Sequence, residues 1–527
     1  RSCPREGPPP HLLQVPGSSL SVAMAALFSL ALAALAQAAV AGILRTDPVL
    51  VRPASSNSSF PEKYYHEQLL DHFDPSDVRT WSQRYFENFD HFRPGGPVIL
   101  YIGGEGPLSE TAVNGKLVNE LFAQRFGGAT IALEHRFYGK SQPFDSLATA
   151  HLRYLSAKQA LHDLSRFQHW ITANRSLEAS RFLCMGGSYP GMLAAWYRLE
   201  FPANTAGCWA ASAPVEAQEN WPGFGQMVWR AVATDAHGAR DDSVATKLFA
   251  GYSQLAALLH DPTTEAFQAV SKRLNVCPGT VVSKDDRDSW ELVLTGGPAG
   301  VMQYNNTARP RLAALREVVI NASSALEAVF GVAELLNQTK GDRPDNCTDN
   351  SVGSQYKGLL NATLPASGAG NPTRTWTYQT CAEFGFFQTA TASYRAPTMY
   401  TPGVSSRSQW QQICNDVFQI DSSSISQNVL RTNMYFGGKD PAGISNVFFS
   451  NGELDAWSLL SVTSYPPNDR QVFSEVAPLG SHCVGLYNPS AEGGLPGAAQ
   501  IRERAFSLFQ AWLGASNQSD AQDYFHV

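Results

Sequence analysis

Short apolar segments that end in turn residues recur in two parts of the chain and predict strands. The first group comprises "PVILYIGGEG", "GGATIALEHRFYG", "RFLCMGGS" and "GCWAASAP", at 97–106, 127–139, 181–188 and 207–214. The second group lies far downstream, at 445–457 and 470–483. Apolar residues spaced three or four apart predict helices at 152–171 and 498–514. Strands that alternate with helices imply a mostly parallel sheet with helices on both faces.

The segment 216–380 has a different pattern from the segments on either side. It is helix-like, contains few strand-like runs and carries most of the glycosylation sequons. We interpret it as a helical cap inserted between two parts of an α/β domain, at 42–215 and 381–527, after a leader at 1–41. Ligands bind at the carboxyl ends of parallel strands, so an insertion over those ends would roof an active site. The alternative is a long decoration on one side of the domain.

Ser188 stands between the strand-like run "RFLCMGG" and an apolar run at helical spacing. A strand, a sharp turn and a helix mount the nucleophilic serine in α/β hydrolases. The backbone N–H of Tyr189 would then donate to the oxyanion, with a second donor from the Gly-rich loop at Gly104 and Glu105. Pro190 falls in the first helical turn, where a backbone N–H has no partner within the helix, so its absence removes no helical hydrogen bond. The proline ring nevertheless biases Tyr189 away from helical backbone angles.

A general base and an acid for Ser188 are expected downstream, in the order serine, acid, histidine. Beyond the later strands the histidines are His482 and His526, and His526 is the penultimate residue, where chains usually fray. His482, in "GSHC" after a predicted strand, is therefore the predicted base. Asp455, in "NGELDAW", is the predicted acid, and Glu453 is the competing carboxylate, whose place within the turn favours solvent.

The N-terminal residues indicate entry into the secretory pathway. From Met24, "MAALFSLALAALAQAAVAG" is an apolar run with small residues at its end, which resembles a secretory signal cleaved after Ala38 or Ala41. A membrane anchor is the alternative, but no stable membrane insertion is expected. Asn-x-Ser/Thr sequons predict a lysosomal, endosomal or extracellular glycoprotein. They occur at Asn57, Asn174, Asn305, Asn321, Asn337, Asn346, Asn361 and Asn517.

Composition excludes several classes of function. The 527 residues are 43% hydrophobic and 16% charged, with a net charge of −7, as in ordinary globular proteins of several domains. A basic patch is lacking, so nucleic acid is not an expected partner. The eight cysteines include no C-x-x-C pair, so a metal site is not indicated. Without Cys3 their number is odd, which predicts a free thiol, and Cys184 is expected to be a buried apolar side chain rather than a disulfide partner.

Longer motifs resemble the proline-selective serine peptidases, the family that groups lysosomal Pro-X carboxypeptidase, dipeptidyl peptidase II and the thymus-specific serine protease. The motifs are "GGSYPGMLAAWYRLEFP", "NGELDAW", "EHRFYGKSQP", "QLLDHFDPSDVRTWSQRYFEN" and "WTYQTCAEFGFFQT". The resemblance runs from about residue 64 to residue 513, and "EFGFFQT", "TNMYFGG" and "GSHC" are most similar to the thymus-specific branch.

The resemblance implies an α/β-hydrolase domain with an inserted helical cap, and a triad of Ser188, Asp455 and His482. It also implies a hydrophobic proline pocket and two disulfides. The implied pocket residues are Met192, Phe386 and Trp457, and the implied disulfides are Cys381–Cys414 and Cys277–Cys347. The chain departs from the family at Pro190, where a small residue is usual, and at Ala456, where proline is usual.

These observations predict a serine exopeptidase that cleaves peptides at proline through an acyl-enzyme on Ser188, as a carboxypeptidase or a dipeptidyl peptidase. Neither a metal nor an organic cofactor is expected. The alternatives are an endopeptidase or an esterase of the same fold, or a peptide-binding protein whose serine turn is disabled by Pro190. Peptides are the expected substrates, and a homodimer is one expected assembly.

Overall fold

The computed structural model describes residues 60–307, 311–340, 346–391, 396–466, 470–492 and 495–514. The leader at 1–41, Cys3, Asn57, Asn517 and His526 lie outside these residues. The strands are β1 Lys63–Leu69, β2 Thr80–Asn88, β3 Val98–Ile102, β4 Ala129–Leu133, β5 Phe182–Gly187, β6 Gly207–Ala211, β7 Gln218–Asn220, β8 Gly385–Phe387, β9 Val447–Gly452 and β10 Val472–Ala477.

The helices of the first part are α1 Val118–Phe126, α2 Thr149–Leu152, α3 Ala157–Asn174 and α4 Tyr189–Glu200. Those between β6 and β9 are α5 Gly223–Ala233, α6 Asp242–Leu258, α7 Glu265–Arg273, α8 Lys284–Gln303, α9 Leu312–Asn321, α10 Ala325–Leu335, α11 Val352–Leu360, α12 Pro372–Gln379, α13 Arg407–Phe418 and α14 Ser422–Phe436. The last helices are α15 Pro489–Glu492 and α16 Pro496–Trp512.

The main sheet has the order β1-β2-β4-β3-β5-β6-β9-β10. From β4 to β10 all neighbours are parallel, whereas β1 pairs antiparallel with β2 and β2 with β4. The central strands are continuous apolar runs buried on both faces, as parallel strands between helices require. The prediction of a mostly parallel α/β-hydrolase sheet is confirmed. It omitted β1 and β2, whose polar side chains interrupt the hydrophobic pattern at the edge.

The helix predicted at 152–171 is two helices in the structure. The side chain of Ser156 accepts a hydrogen bond from the backbone N–H of Gln159 and caps α3, so the helix begins at Ala157. Leu152 belongs to the short α2 that precedes this cap. The apolar spacing runs through the break, which explains why the pattern alone did not separate the two helices.

Between β6 and β9 the chain leaves the main sheet and forms α5 to α14 together with a small parallel sheet of β7 and β8. A π-helical turn at Thr380–Phe384 connects α12 to β8. Helices α13 and α14 follow the predicted end of the cap at Thr380 and precede β9. The division of the chain into domains at 216 and 380 stays a prediction.

The expectation for Cys184 is wrong, because this residue forms a disulfide with Cys208. The two cysteines face each other in register on the neighbouring strands β5 and β6, with their Cα atoms 4.5 Å apart. The disulfides Cys277–Cys347 and Cys381–Cys414 are present as the resemblance implies. Within the described residues Cys483 is the free cysteine, and it is buried.

The described part of the chain bears on the expectations about membrane insertion and glycosylation. In that part, no helix is both long and apolar enough to cross a membrane. Its sequon asparagines are exposed at five positions and partly buried at Asn305. The exposed ones are Asn174, Asn321, Asn337, Asn346 and Asn361.

Candidate active site

Ser188 occupies a strained turn between β5 and α4. Its backbone angles are φ 65° and ψ −131°, which a residue with a side chain rarely adopts. The Ser188 N–H donates to the carbonyl oxygen of Ala211 on β6 at 2.9 Å, so the turn is tied to the sheet. A Cβ on Gly187 would lie 2.7 Å from the Cys483 sulfur and 2.5 Å from Leu486 Cδ1, so a larger residue before the serine would have to displace both side chains. This is the geometry of a nucleophile elbow.

Asp455 and His482 meet at the carboxyl ends of β9 and β10. His482 Nδ1 lies 3.0 Å from each carboxylate oxygen of Asp455, and their side chains are 3% and 0% exposed. Asp455 Oδ1 also accepts the N–H of Trp457 at 3.0 Å. Burial alone would lower the pKa of His482, but the Asp455 carboxylate raises that pKa well above its usual range. The pair therefore favours a proton on Nδ1 and stabilises an imidazolium.

The other ring nitrogen of His482 is available for chemistry. His482 Nε2 is buried and forms no hydrogen bond with any residue that the structure describes, Ser188 included. Both His482 and Ser188 line a cleft of about 260 Å³. Catalytic hydrogen bonds are often not formed until substrate binds, so the open nitrogen is compatible with a base that acts on Ser188.

The Gly-rich loop after β3 lines the same cleft. Gly104, Glu105 and Pro190 all contribute to its wall. The ring of Pro190 packs directly on Gly104, where an added Cβ would lie 2.3 Å from Pro190 Cγ. Burial raises the pKa of Glu105. The structure thus brings the predicted loop and the serine turn together, and Tyr189 begins α4 beside them.

Two of the predicted pocket residues, Phe386 and Trp457, form an apolar cluster beside the histidine, and none of the three predicted residues lines this cleft. The ring centroids of Phe386 and Trp457 are 5.4 Å apart, and those of Trp457 and His482 are 6.4 Å apart. Phe224, from the insertion, packs on Trp457 at 5.7 Å. Met192 is fully buried one turn after Ser188 and donates its N–H to the Ser188 carbonyl oxygen at 3.1 Å.

Glu453, the competing carboxylate, lies on the surface. It accepts a hydrogen bond from Arg230 at 2.7 Å and from the backbone N–H of Leu479 at 3.1 Å. The side chains of the Arg230–Glu453 pair are 44% and 38% exposed. Asp455, and not Glu453, contacts His482.

The end of α8 holds the histidine loop, which sequence analysis missed. The His482 N–H donates to the carbonyl oxygen of Gln303 at 3.0 Å. The Asn306 side chain accepts from the Ser481 N–H at 3.0 Å and donates to the His482 carbonyl oxygen at 3.1 Å. The Asn306 N–H in turn donates to the Ser481 hydroxyl at 3.0 Å. Asn306 lies inside the sequon of Asn305, and this sequence pattern points to the surface rather than to a buried contact.

Comparison with known proteins identifies the family of this chain. The family described as serine carboxypeptidase S28 matches residues 68–495. The thymus-specific serine protease of Mus musculus is 31% identical over 462 residues, which cover 86% of this chain and 88% of that protein. The thymus-specific serine protease of Homo sapiens is 31% identical over 469 residues, 88% of each chain. Lysosomal Pro-X carboxypeptidase of Mus musculus is 27% identical over 433 residues, 76% of this chain and 79% of that protein. The chain therefore belongs to the serine carboxypeptidase S28 family of serine peptidases.

Proposed function

We propose that this chain is a serine exopeptidase that cleaves peptides at proline, with Ser188, His482 and Asp455 as its catalytic triad. One observation carries the proposal. His482 binds Asp455 through Nδ1 and leaves Nε2 without a partner among the described residues, in the cleft that Ser188 also lines. A buried unpaired ring nitrogen costs free energy, so its retention beside a strained serine favours catalysis over structure.

In the proposed reaction, His482 Nε2 takes the proton of the Ser188 hydroxyl as its oxygen attacks the peptide carbonyl carbon. The N–H groups of Tyr189 and of the loop at Gly104 and Glu105 would donate to the oxyanion. The leaving amine departs with the proton from His482, and Asp455 stabilises the imidazolium meanwhile. Water then hydrolyses the acyl-enzyme by the same proton path, so no metal or organic cofactor takes part.

Selection for proline is proposed to rest on the apolar cluster beside His482. Trp457 is buried beside the base, Phe386 is buried against Trp457, and Met192 is buried one turn after Ser188. A pyrrolidine ring is compact and apolar, and it suits an aromatic wall. The name of the relative lysosomal Pro-X carboxypeptidase supports the same choice.

An exopeptidase is favoured over an endopeptidase because the insertion closes on the histidine loop. Gln303 and Asn306 are bonded to Ser481 and His482, and Tyr304 lines the cleft. This arrangement narrows the approach to Ser188 and suits the end of a short peptide better than the middle of a long one. Carboxypeptidase and dipeptidyl-peptidase action both fall within the proposal.

The three disulfides are typical of an oxidising compartment. We accordingly propose passage through the secretory pathway, residence in lysosomes or outside the cell, and glycans on the exposed sequons. The cap at 216–380 and a homodimer are further parts of the proposal, and light scattering of the purified glycoprotein tests the latter.

Labelling with a fluorophosphonate probe tests the mechanism. The probe is expected to attach to Ser188, and a Ser188→Ala variant serves as the unlabelled control. Properly folded protein that is not labelled would identify a peptide-binding protein instead.

A panel of proline-containing peptides then distinguishes the peptidase types. Loss of cleavage on C-terminal amidation identifies a carboxypeptidase, and loss on N-terminal acetylation identifies a dipeptidyl peptidase. Cleavage of peptides blocked at both ends would contradict exopeptidase action.

A further inference from the structure

The side chain of Tyr189 is buried and held by both ring contacts and hydrogen bonds. It is 1% exposed, and its ring packs against Trp376 and Phe384, which also contact each other, at centroid distances of 5.4 and 5.5 Å. Its hydroxyl lies 2.9 Å from His135 Nε2 and 3.0 Å from Gln379 Nε2. A buried phenol with two polar partners is fixed in position and in direction.

The amide of Gln379 connects this phenol to the insertion. Gln379 is fully buried, and its NH₂ group donates to Tyr189 at 3.0 Å and to Glu383 at 3.1 Å. Its carbonyl oxygen accepts from the Tyr138 hydroxyl at 2.6 Å. Glu383 also accepts the backbone N–H of Ala157 at the start of α3, at 2.9 and 3.1 Å. The amide therefore uses both its donors and its acceptor in fixed contacts.

The direction of each hydrogen bond follows from His135. Burial lowers the pKa of His135 to about 4, so the ring is neutral and has one N–H. His135 Nδ1 lies 2.7 Å from the carbonyl oxygen of Arg136, which can only accept. Nε2 is then the acceptor of the Tyr189 O–H, and the Tyr189 oxygen accepts from Gln379. The phenol has no alternative arrangement among these partners.

We propose that Gln379 is a positioning residue of the oxyanion hole, which it serves by fixing Tyr189. The proposal rests on the function proposed above, in which the Tyr189 backbone N–H donates to the oxyanion. Tyr189 follows directly on the strained Ser188 turn and precedes Pro190, which disfavours helical angles for it. The local backbone thus does not secure the N–H direction by itself, and an oxyanion donor must be placed within a few tenths of an ångström.

The same segment reaches the proposed proline pocket. Gln379 ends α12, the π-helical turn Thr380–Phe384 follows, and β8 carries Phe386 against Trp457. The disulfide Cys381–Cys414 ties this segment to α13. One stretch of the insertion therefore contacts both the residue behind the oxyanion hole and the apolar cluster, so it contributes to turnover as well as to substrate choice.

Two variants test the role of Gln379. Tyr189→Phe removes the hydroxyl but keeps the ring and the backbone N–H, and Gln379→Ala removes the amide. Loss of a whole oxyanion donor costs about 10²- to 10³-fold in kcat, so a misdirected donor is expected to cost roughly 10-fold. In both variants KM should stay within about twofold of the parental value, and the rate of labelling by a fluorophosphonate should fall in parallel with kcat.

A matched control and a double variant make the test specific. Tyr378→Phe makes the same chemical change as Tyr189→Phe on α12, the helix of Gln379, but the Tyr378 ring packs on Phe418 at 5.4 Å, so parental kcat is expected. Because Gln379 acts through Tyr189, the double variant should be no slower than the slower single variant.

Parental kcat and labelling rate in Tyr189→Phe would overturn the inference, as would additive losses in the double variant. A decrease in kcat matched by an equal loss of folded protein, measured by thermal unfolding, would also overturn it. If Gln379→Ala does not fold, Tyr189→Phe decides alone. A parent protein that is not labelled overturns the proposed function itself, whereas a labelled parent with an unaffected Tyr189→Phe overturns only the role of Gln379.

Discussion

Ser188, Asp455 and His482 come from the carboxyl ends of β5, β9 and β10, whereas Gln303, Asn306 and Gln379 come from the helical insertion. The first group is placed by parallel strands and by glycines that allow close approach. The second group is placed by side-chain hydrogen bonds and by packing on the first. Ser188 and His482 line one cleft, and the second group contacts the residues behind it, but the two groups depend on different kinds of interaction.

How each group is placed determines which part of the site tolerates substitution. A strand end has its direction fixed by the whole sheet, so a substitution there removes a reacting group and leaves the scaffold intact. An insertion contact depends on single amide or aromatic side chains, so a substitution there shifts a neighbour by a fraction of an ångström. We expect the sheet residues to control whether the reaction occurs, and the insertion residues to control its rate and its substrate.

The largest effect is expected at the sheet. His482→Ala should lower kcat/KM by roughly 10³-fold or more with folding retained, because Ser188 then lacks its base. Hydrolysis of a proline-containing peptide measures the loss. His260→Ala, an exposed histidine of the insertion, is the control and should be near parental. Similar activities in the two variants would remove His482 from the triad.

The next effect concerns the contact between the loop after β3 and the serine turn. Gly104→Ala would place a methyl group 2.3 Å from Pro190 Cγ and displace the loop, so kcat should fall by roughly 10²-fold. Pro190→Gly alone should retain activity and lose on the order of 1 kcal/mol of unfolding free energy.

The double variant Gly104→Ala with Pro190→Gly sharpens this test. The nearest atoms to the added methyl group all belong to Pro190, so removal of the ring should restore kcat to within about tenfold of the parent. No recovery in the double variant would show that the Gly104 backbone, rather than the clash, requires glycine.

A smaller effect is expected at β8, just after the predicted end of the insertion. Phe386→Leu should raise KM for proline substrates by about fivefold and change kcat less, because it reshapes the apolar cluster without touching the triad. Phe387→Leu is the matched control, since Phe387 points to the other face of β8 and stacks on Trp410 at 5.1 Å. Steady-state kinetics on peptides with proline or alanine at the cleavage site distinguishes the Phe386→Leu variant from the Phe387→Leu variant. Equal KM values for both variants would contradict the assigned pocket.

The smallest effect is one on stability. Burial raises the pKa of Glu383 to about 7 in the folded protein, whereas its pKa in the unfolded chain is near 4.5. Between these pH values the folded state binds more protons, so unfolding free energy decreases as pH rises from 4.5 to 7. Glu383→Gln should reduce the total decrease in unfolding free energy over this pH range by on the order of 3 kcal/mol.

Chemical denaturation at pH 4.5, 5.5 and 7.5 measures that slope. Some slope should persist in the variant, because burial also raises the pKa of Glu291 to about 7. Glu453→Gln, an exposed carboxyl, is the control and should keep the parental slope. A Glu383→Gln slope equal to that of the parent would refute the prediction.

The sheet-borne residues could be predicted from the sequence because each follows its own apolar run. The hydrophobic pattern located β5, β9 and β10, and a glycine within three residues before each polar residue marked the turn that presents it. The same pattern correctly placed the remaining parallel strands. It could not separate Asp455 from Glu453 by spacing alone, and the structure shows that only Asp455 reaches His482.

The insertion-borne contacts could not be predicted for a physical reason. Gln379 and Asn306 are uncharged polar residues in helical or turn segments, and nothing in their neighbours indicates that they are fully buried. Their partners lie far away in the chain, as Gln379 and Tyr189 do. Cys184 was misjudged similarly, because its partner Cys208 is defined by strand register rather than by sequence spacing.

The four hydrogen bonds between the end of α8 and the loop at Ser481 and His482 have a consequence for substrate traffic. If the insertion swung outward to admit a bulky protein, these bonds would break and the histidine would lose its support. The loop at Ser481 and His482 would thus lose its support whenever the cleft opened widely enough to admit a folded protein. On the proposed mechanism, only a peptide thin enough to enter while these hydrogen bonds remain intact would meet a Ser188 that His482 can activate.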